Sequence, residues 1–162
     1  MFHTQLKSKL QSKEAVLKHT SVLQAHGKKM VFTNGCFDIL HPGHVDYLCQ
    51  ARDLGDFLIL GLNTDASVRK LNKAPNRPVN DETSRALVLA GLACIDAIVL
   101  FDEETPYELI RYLQPDVLVK GDDYQPEQIA GYDVVVAKGG QVKTIPFLKG
   151  YSTTALINKI RA

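Results

Sequence analysis

The sequence predicts a doubly wound α/β fold, in which helices cover both faces of one parallel sheet. Segments typical of strands alternate with segments typical of helices, and short connections between them favour right-handed crossovers. The segment Phe57-Leu-Ile-Leu-Gly-Leu62 is too apolar to face water on either side, as expected of a central parallel strand. The 162 residues suit one domain. Such sheets bind ligands beyond the carboxyl ends of their strands, so we look for a site there.

The first half of the chain predicts two helix–strand alternations. An amphipathic helix is expected from about residue 4 to residue 25, because Leu6, Leu10 and Leu17 share one face and the stretch holds neither Gly nor Pro. The next elements are a short buried strand at 29–33, a helix at 45–54 that ends at Gly55, the central strand at 57–62, a helix for which 63–65 supplies capping residues, and a basic, proline-containing loop at 72–80.

The second half continues the alternation. Helices are expected at 81–92, at 105–113 with Pro106 in its first turn, and at 152–160; strands are expected at 97–101 and 117–119. Two Val-containing segments, 134–137 and 142–145, are joined through Gly139-Gly140 and predict a last strand or hairpin. Since no repeat, low-complexity tract or linker interrupts the chain, we expect one domain over 1–162.

Composition excludes several classes of function. Nineteen Lys and Arg against eighteen Asp and Glu give a net charge of +1, so no bulk electrostatic attraction to nucleic acid or to an anionic membrane is expected. Three irregularly spaced cysteines form neither a disulfide framework nor a metal knuckle. No window approaches the roughly 20 apolar residues of a membrane span, and no export signal is recognised. These features predict a cytoplasmic protein whose function depends on a local site.

The segment from Thr33 to His44 is the strongest candidate for that site. It follows the first sheet strand and leads into a helix, whose unpaired N–H groups attract an anion. Gly35 and Gly43 let the backbone approach a ligand closely, and His41 and His44 can donate hydrogen bonds to phosphate oxygens. Two alternatives are a metal site, which lacks a third ligand at a recognisable spacing, and a structural pair that caps the helix.

These residues resemble a known family. His41-Pro-Gly-His44 matches the HxGH signature of the nucleotidyltransferase superfamily. The residues from Thr33 to His41 are typical in sequence of its cytidylyltransferase-like branch. Far downstream, Gly150-Tyr-Ser-Thr-Thr154 matches the G-x-S-T-T element with which that branch holds the outer phosphates of a nucleotide. Taken alone, Ser-Thr-Thr before a helix is an ordinary N-cap. Together with HxGH it indicates a triphosphate site.

Within the branch, the resemblance is strongest to adenylyltransferases that make ADP-activated heptose from heptose 1-phosphate. It rests on the following segments: Phe32–Asp38, Asn63–Ser67, Arg77–Val79, Val119–Tyr124, Pro126–Gly131 and Gly139-Gly140. The chain is too short for the sugar kinase to which such enzymes are often fused, so a stand-alone form is expected. This chain departs from the usual sequence of such enzymes at two positions: Asp122 replaces a second glycine, and Lys149 replaces an acidic residue. Both differences bear on which sugar phosphate is the acceptor. Phe147 replaces an Arg common in glycerol phosphate cytidylyltransferases.

The resemblance implies in-line attack of a sugar 1-phosphate oxygen on the α-phosphorus of ATP, with release of pyrophosphate. Catalysis then depends on positioning and charge neutralisation, so no thiol nucleophile is needed and Cys36 is not expected to act as one. The expected catalytic residues are His41, His44, Lys73 and Arg85. Mg²⁺ is expected to be carried mainly by the ATP phosphates, with no protein ligand assigned, and the active form is expected to be a homodimer.

The remaining expected roles concern binding. The nucleotide is expected to contact Thr33, Asn34, Gly35, Cys36, Phe37, Gly43, Lys120, Gly121, Asp122, Ser152, Thr153 and Thr154. The sugar phosphate is expected to contact Asp38, Asp65, Lys70 and Arg77. Two alternatives without a binding role remain. The basic residues would be solvated surface side chains, and Asp38 and Asp65 would cap helices. The loop at 72–80 is expected to close over the substrates as a lid.

Two other functions compete with adenylyl transfer to a sugar phosphate. One is CTP-dependent transfer to glycerol 3-phosphate or another phosphorylated alcohol, which uses the same HxGH chemistry. The other is a nucleotide-binding regulatory subunit without turnover. The intact histidine pair and Ser-Thr-Thr element argue against the second.

Overall fold

A computed structural model describes residues 1–72 and 75–162 of the chain. Five parallel strands form one sheet in the order β3-β2-β1-β4-β5. The strands are β1 (Met30–Gly35), β2 (Phe57–Asn63), β3 (Ala97–Phe101), β4 (Val117–Gly121) and β5 (Gln141–Ile145). This arrangement confirms the predicted doubly wound sheet, and the apolar segment at 57–62 is an interior strand.

The helices are α1 (Phe2–Ser8), α2 (Lys13–Ala25), α3 (Pro42–Arg52), α4 (Asp65–Lys70), α5 (Glu82–Ala90), α6 (Tyr107–Leu113), α7 (Tyr132–Ala137) and α8 (Thr153–Arg161), with a short 3₁₀ turn at Pro126–Gln128. The strands have side chains that alternate between two cores. Val31 and Leu58 face one core, with α3 and α5; Phe32 and Ile59 face the other, with α2, α6 and α7. No helix among the described residues is long and apolar enough to cross a membrane.

The single helix predicted near the N-terminus is wrong, because the chain breaks between α1 and α2. In the break, the Ile98 N–H donates to the Lys9 carbonyl at 2.7 Å and the Gln11 N–H donates to the Ile98 carbonyl at 3.0 Å. Leu10 therefore pairs with the outer edge of β3. Ser12 then caps α2 by accepting the Ala15 N–H at 3.2 Å. Covering an exposed sheet edge outweighs helix continuity here.

The strand or hairpin predicted from 134–137 is also wrong, since these residues belong to α7. The helix begins after Gly131, whose φ of +90° few other residues adopt, and a Cβ there would lie 2.7 Å from Ile110 Cγ2. Val135 is fully buried between the helix and the sheet. The β-branched run favours a strand locally, but packing over β4 and β5 determines the helix. The second segment, predicted at 142–145, is β5, which lies parallel to β4.

Candidate active site

A cavity of about 430 Å³ lies at the carboxyl ends of β1 and β4. One wall is the loop that runs from Asn34 through His44 into α3, and the facing wall is formed by residues 147–154, which lead into α8. The predicted residues that line it are Asn34, Gly35, Cys36, Phe37, Asp38, His41, Gly43, His44, Arg77, Lys120, Gly121, Ser152, Thr153 and Thr154. The structure thus brings the two sequence motifs to one cavity.

The two walls lie close together at Gly43. A Cβ at this position would lie 3.1 Å from the His41 ring and 3.2 Å from Tyr151 Cβ, so the two walls leave little room for a side chain. The ring centroids of His41 and Tyr151 are 6.3 Å apart. Ser152 caps α8 by accepting the Ala155 N–H at 3.0 Å. The hydroxyl-bearing start of α8 therefore faces the histidines.

The two histidines stack on each other at the start of α3. Their ring centroids are 3.7 Å apart and their planes differ by 18°. His41 occupies the N-cap position of α3 but makes no side-chain capping bond, so the alternative of a helix-capping pair is wrong for this residue. The Nδ1 atoms of both rings, and Oδ1 of Asn34, are buried without a hydrogen-bond partner among the described residues. Such orphaned atoms are costly unless a ligand satisfies them.

Burial favours the neutral form of both imidazoles. The pKa of His44 is lowered to about 4, chiefly by burial and further by the neighbouring His41. The pKa of His41 is also lowered by burial. A phosphate placed against the rings would favour their charged forms and reverse this shift. The pair is therefore suited to take up protons when an anion binds.

Phe37 determines the shape of the loop that precedes the histidines. It adopts a left-handed φ of +46°, and its ring packs over Gly35, where a Cβ would lie 2.7 Å from Phe37 Cε2. The Phe37 and His44 rings meet edge to face, with centroids 5.1 Å apart. Gly35 is therefore required by the Phe37 ring, which in turn contacts a proposed catalytic residue.

Arg85, predicted to contact phosphate, lies beneath the cavity rather than in it. Its side chain is fully buried and donates hydrogen bonds to backbone carbonyls and to Asp65. Asp65, predicted to bind the sugar, is occupied by this ion pair at 2.7 Å. Thr64 rather than Asp65 caps α4, accepting the Ser67 N–H at 3.1 Å. These two predictions of direct substrate contact are therefore corrected.

Asp38 lines the cavity, but its carboxylate already has protein partners. It accepts the N–H groups of Val79 and Asn80 at 2.9 Å each and lies 3.4 Å from Arg77 Nη1. Its side chain is 2% exposed. The expected contact with sugar hydroxyls gives way to a structural role, in which Asp38 anchors the segment that carries Arg77 into the cavity wall.

Several other predicted residues lie outside the cavity wall. Lys70 donates to the Asp102 carbonyl at 2.8 Å, beyond β3. Thr33 is buried and contacts the Tyr47 hydroxyl at 2.8 Å. Asp122 is exposed, and its neighbour Asp123 lines the cavity instead. Lys73 lies outside the described residues, as does part of the predicted lid at 72–80.

Sequence reasoning missed the aromatic part of the cavity. Tyr47, Phe147 and Tyr151 all line it. Tyr47 lies three positions after His44 on α3, so helical periodicity could have placed it on the same face. Phe147 lies over Gly121, where a Cβ would be 2.1 Å from its Cζ. Nothing local in the sequence indicates that contact, because it joins the ends of two strands.

No group of three or more His, Cys, Asp or Glu side chains among residues 1–72 and 75–162 is arranged to hold a metal ion. Asp38 is saturated by protein donors, which leaves Asp123 as the carboxylate at the cavity wall. This donor set fits a Mg²⁺ ion that arrives with phosphate ligands better than one held in a protein cage.

Known proteins resemble this chain along most of its length. A family model described as cytidylyltransferase-like matches residues 32–159. The bifunctional protein HldE of Trichlorobacter lovleyi is 52% identical over 158 residues, which cover 98% of this chain and 32% of that protein. HldE of Citrifermentans bemidjiense is 57% identical over 146 residues, covering 90% and 30%. The chain thus spans about a third of these relatives.

Solved structures show the same fold. A lipopolysaccharide core biosynthesis protein from Thermoplasma volcanium superposes with a TM-score of 0.60 and 28% identity, covering 77% of this chain and 99% of that one. A pantoate–β-alanine ligase from Francisella tularensis gives a TM-score of 0.59 at 16% identity, covering 93% and 77%. The second likeness concerns the fold alone.

Proposed function

Because this chain belongs to the cytidylyltransferase-like family of nucleotidyltransferases, we propose that it transfers AMP from ATP to a sugar 1-phosphate and releases pyrophosphate. The proposed acceptor is D-glycero-D-manno-heptose 1-phosphate, so that ADP-heptose for cell-surface polysaccharide is the product. One observation carries the reaction type: the stacked imidazoles of His41 and His44 line the same cavity as the hydroxyl-bearing start of α8.

The chemistry follows from that juxtaposition. The acceptor phosphate oxygen attacks the α-phosphorus in line, and negative charge develops on the α-phosphate oxygens. The approaching anion raises the pKa of His41 and His44, which take up protons from solvent and donate hydrogen bonds to those oxygens. Ser152, Thr153 and Thr154 bind the β- and γ-phosphates, which leave as pyrophosphate. The reaction then proceeds without a covalent intermediate on the protein.

Arg77 is the proposed partner of the acceptor phosphate. Its guanidinium lines the cavity and lies 3.4 Å from Asp38, a distance longer than a good charge-assisted hydrogen bond. Because Asp38 also accepts two backbone N–H groups, it does not depend on Arg77 for its stabilisation. Arg77 can therefore turn toward a phosphate at small cost, while its segment stays anchored.

The far end of the cavity is the proposed adenine site. Gly121, Tyr124 and Phe147 line this end, which offers aromatic faces to a planar base. Lys120 Nζ lies 5.5 Å from the centre of the Tyr124 ring and 3.5 Å from the Asn34 carbonyl. Mg²⁺ is proposed to enter with the ATP phosphates, where it would neutralise charge on the leaving pyrophosphate.

The setting proposed for this reaction is the cytoplasm, where ATP and sugar phosphates are available. A homodimer is proposed from the family resemblance, and nucleic acid and membrane are not proposed as partners. The near-neutral net charge of +1 supports that exclusion.

A substrate panel tests the proposal. Pyrophosphate release is measured with Mg²⁺ for ATP or CTP, each with heptose 1-phosphate or glycerol 3-phosphate. We expect ATP with heptose 1-phosphate to give a kcat/KM at least 100-fold above every other pair. The His44→Ala protein, assayed in parallel, controls for contaminating activity.

Each other outcome replaces the proposal with a defined alternative. Preference for CTP and glycerol 3-phosphate would assign the cytidylyl reaction. Release with ATP and a different sugar 1-phosphate would retain adenylyl transfer and change the acceptor. Nucleotide binding without release for any pair would favour a regulatory subunit.

A further inference from the structure

A single arginine side chain bonds to four acceptors beneath the cavity. Arg85, on α5, has a fully buried side chain. Its Nε donates to the Asn80 carbonyl at 3.0 Å, and its Nη1 donates to the carbonyls of Cys36 at 2.8 Å and Asn63 at 2.7 Å. Its Nη2 donates to Asp65 Oδ1 at 2.7 Å, which neutralises the charge.

The four partners lie at positions that determine the shape of the site. Cys36 directly follows β1 and precedes the histidines, whereas Asn63 ends β2. Asn80 precedes α5, and Asp65 opens α4. The planar fork of a guanidinium can satisfy all four acceptors at once, which a lysine ammonium on a flexible chain cannot do.

A second set of bonds joins two of those segments at the cavity wall. Asp38 accepts the N–H groups of Val79 and Asn80, and Asn80 Nδ2 donates to the Asp38 carbonyl at 2.6 Å. We call this set the 38–80 junction. Arg77 lies two residues before it and lines the cavity. The junction thus sets the distance between the basic segment and the histidine loop.

We infer that Arg85 is a positioning residue: it fixes the 38–80 junction so that Arg77 and the two histidines face the same phosphate. If its guanidinium moved into the cavity, the buried Asn63 carbonyl would lose its hydrogen-bond donor and Asp65 would lose its ion-pair partner. The role in transfer rests on the proposed function. The role in holding the junction does not, because it concerns the protein without substrates.

Amide hydrogen exchange in the substrate-free protein provides the first test. The N–H groups of Val79 and Asn80 are protected by Asp38, so Arg85→Met is expected to speed their exchange at least tenfold. Arg52→Met is the matched control, because Arg52 also bonds to a backbone carbonyl and an aspartate, those of Gly55 and Asp96, but donates no bond to the junction; it should leave this exchange unchanged. Unaltered exchange in Arg85→Met would overturn the inference.

Kinetics with Arg85→Lys provide the second test. A lysine can replace an arginine as a point charge on phosphate, so a contact role predicts substantial recovery relative to Arg85→Met. A positioning role predicts that Arg85→Lys stays at least tenfold below wild type in kcat, since the fork is lost. Recovery to within threefold of wild type would overturn the inference.

Asp65→Asn keeps the inference testable if Arg85→Met does not fold. It retains the guanidinium and its three carbonyl partners but removes the ion pair. We expect exchange at Val79 and Asn80 to rise by a factor of three to ten, and no rise would contradict the inference. If wild-type protein transfers no nucleotide to any acceptor, the proposed function fails while the exchange measurements still decide whether Arg85 holds the junction.

Discussion

Polar side chains in the cavity and polar side chains beneath it differ in whether the protein satisfies them. In the cavity, Nδ1 of His41, Nδ1 of His44 and Oδ1 of Asn34 are buried without partners among the described residues. Arg85, beneath the cavity, and Asp38, in its wall, instead bond to several protein groups. Orphaned buried atoms indicate where a ligand supplies the missing bonds, whereas satisfied ones hold segments in place.

The difference has an energetic reason. A buried imidazole without a partner loses its hydration and is kept neutral, which destabilises the ligand-free fold slightly. A buried guanidinium with four acceptors keeps its charge and joins the segments that it contacts. The support can therefore be rigid while the cavity remains ready for an anion. Five substitutions or conditions test this division, from the largest expected effect to the smallest.

His44→Ala should lower kcat at least 100-fold, because one preorganised donor to transition-state charge contributes roughly 3 to 4 kcal/mol. Pyrophosphate release measures this loss, and urea unfolding checks that the fold is retained. Since the ring is unsatisfied in the free protein, the free energy of unfolding should not fall by a comparable amount. His3→Ala, at an exposed position on α1, is the matched control. Near-normal turnover would remove His44 from the catalytic group.

Asp38→Asn should reverse that pattern and mainly lower stability. The amide keeps one acceptor oxygen, but its NH₂ group faces the N–H groups of Val79 or Asn80, so the free energy of unfolding should fall by about 2 to 3 kcal/mol. Urea unfolding measures it. Asp122→Asn, at an exposed carboxylate near the same cavity, should change stability by less than about 0.5 kcal/mol. If the two substitutions lowered the free energy of unfolding equally, the hydrogen bonds of Asp38 would contribute no particular stability.

The division between the two groups could be predicted from the sequence only in part. The convergence of HxGH with the Ser-Thr-Thr element follows from the fold, because the carboxyl ends of parallel strands meet at one edge and both motifs follow such ends. The interior strand at 57–62 follows from its apolar run. These features depend on local pattern and on general rules of parallel sheets.

The burial of Arg85 is indicated in part by its position on α5. Arg85 and Leu89 are four residues apart on α5, so they share a face, and Leu89 is fully buried. That periodicity indicates a buried arginine rather than a phosphate ligand. The break before α2 has no local signal, because it depends on the contact of Leu10 with Ile98 of β3, which is distant in sequence. The helix at α7 has a misleading local signal, because its packing on the sheet outweighs the strand preference of its valines.

Acidification should destabilise the free protein through His44. Its pKa is about 4 in the fold and 6.5 ordinarily, so the unfolded chain takes up a proton as the pH falls below about 6.5 while the fold does not. Stability present above pH 6.5 is therefore lost as the pH falls toward 4, by about 2 kcal/mol once its partial exposure is allowed for. Urea unfolding of wild type and His44→Ala at pH 7 and pH 5 measures the difference.

Pyrophosphate should counteract this loss, because an anion beside the ring raises its pKa. Binding is then expected to take up protons and to tighten between pH 7 and pH 5.5, as calorimetry in two buffers of different ionisation enthalpy would show. Affinity that is independent of pH in wild type and in His44→Ala alike would contradict an anion site at the histidines.

Ser152→Ala should have the smallest effect on stability and still impair substrate binding. Ser152 caps α8, and Ser12 caps α2 with similar geometry, so each Ala substitution removes about 1 kcal/mol of local capping energy. Helix α8 has no buried residue, whereas α2 buries Val16 in the core. Global unfolding should therefore register the loss only in Ser12→Ala. In contrast, the KM for ATP should rise several-fold only in Ser152→Ala, because Ser152 lines the cavity proposed to bind the triphosphate, whereas Ser12 does not. Equal KM values in the two variants would mean that Ser152 is a helix cap and nothing more.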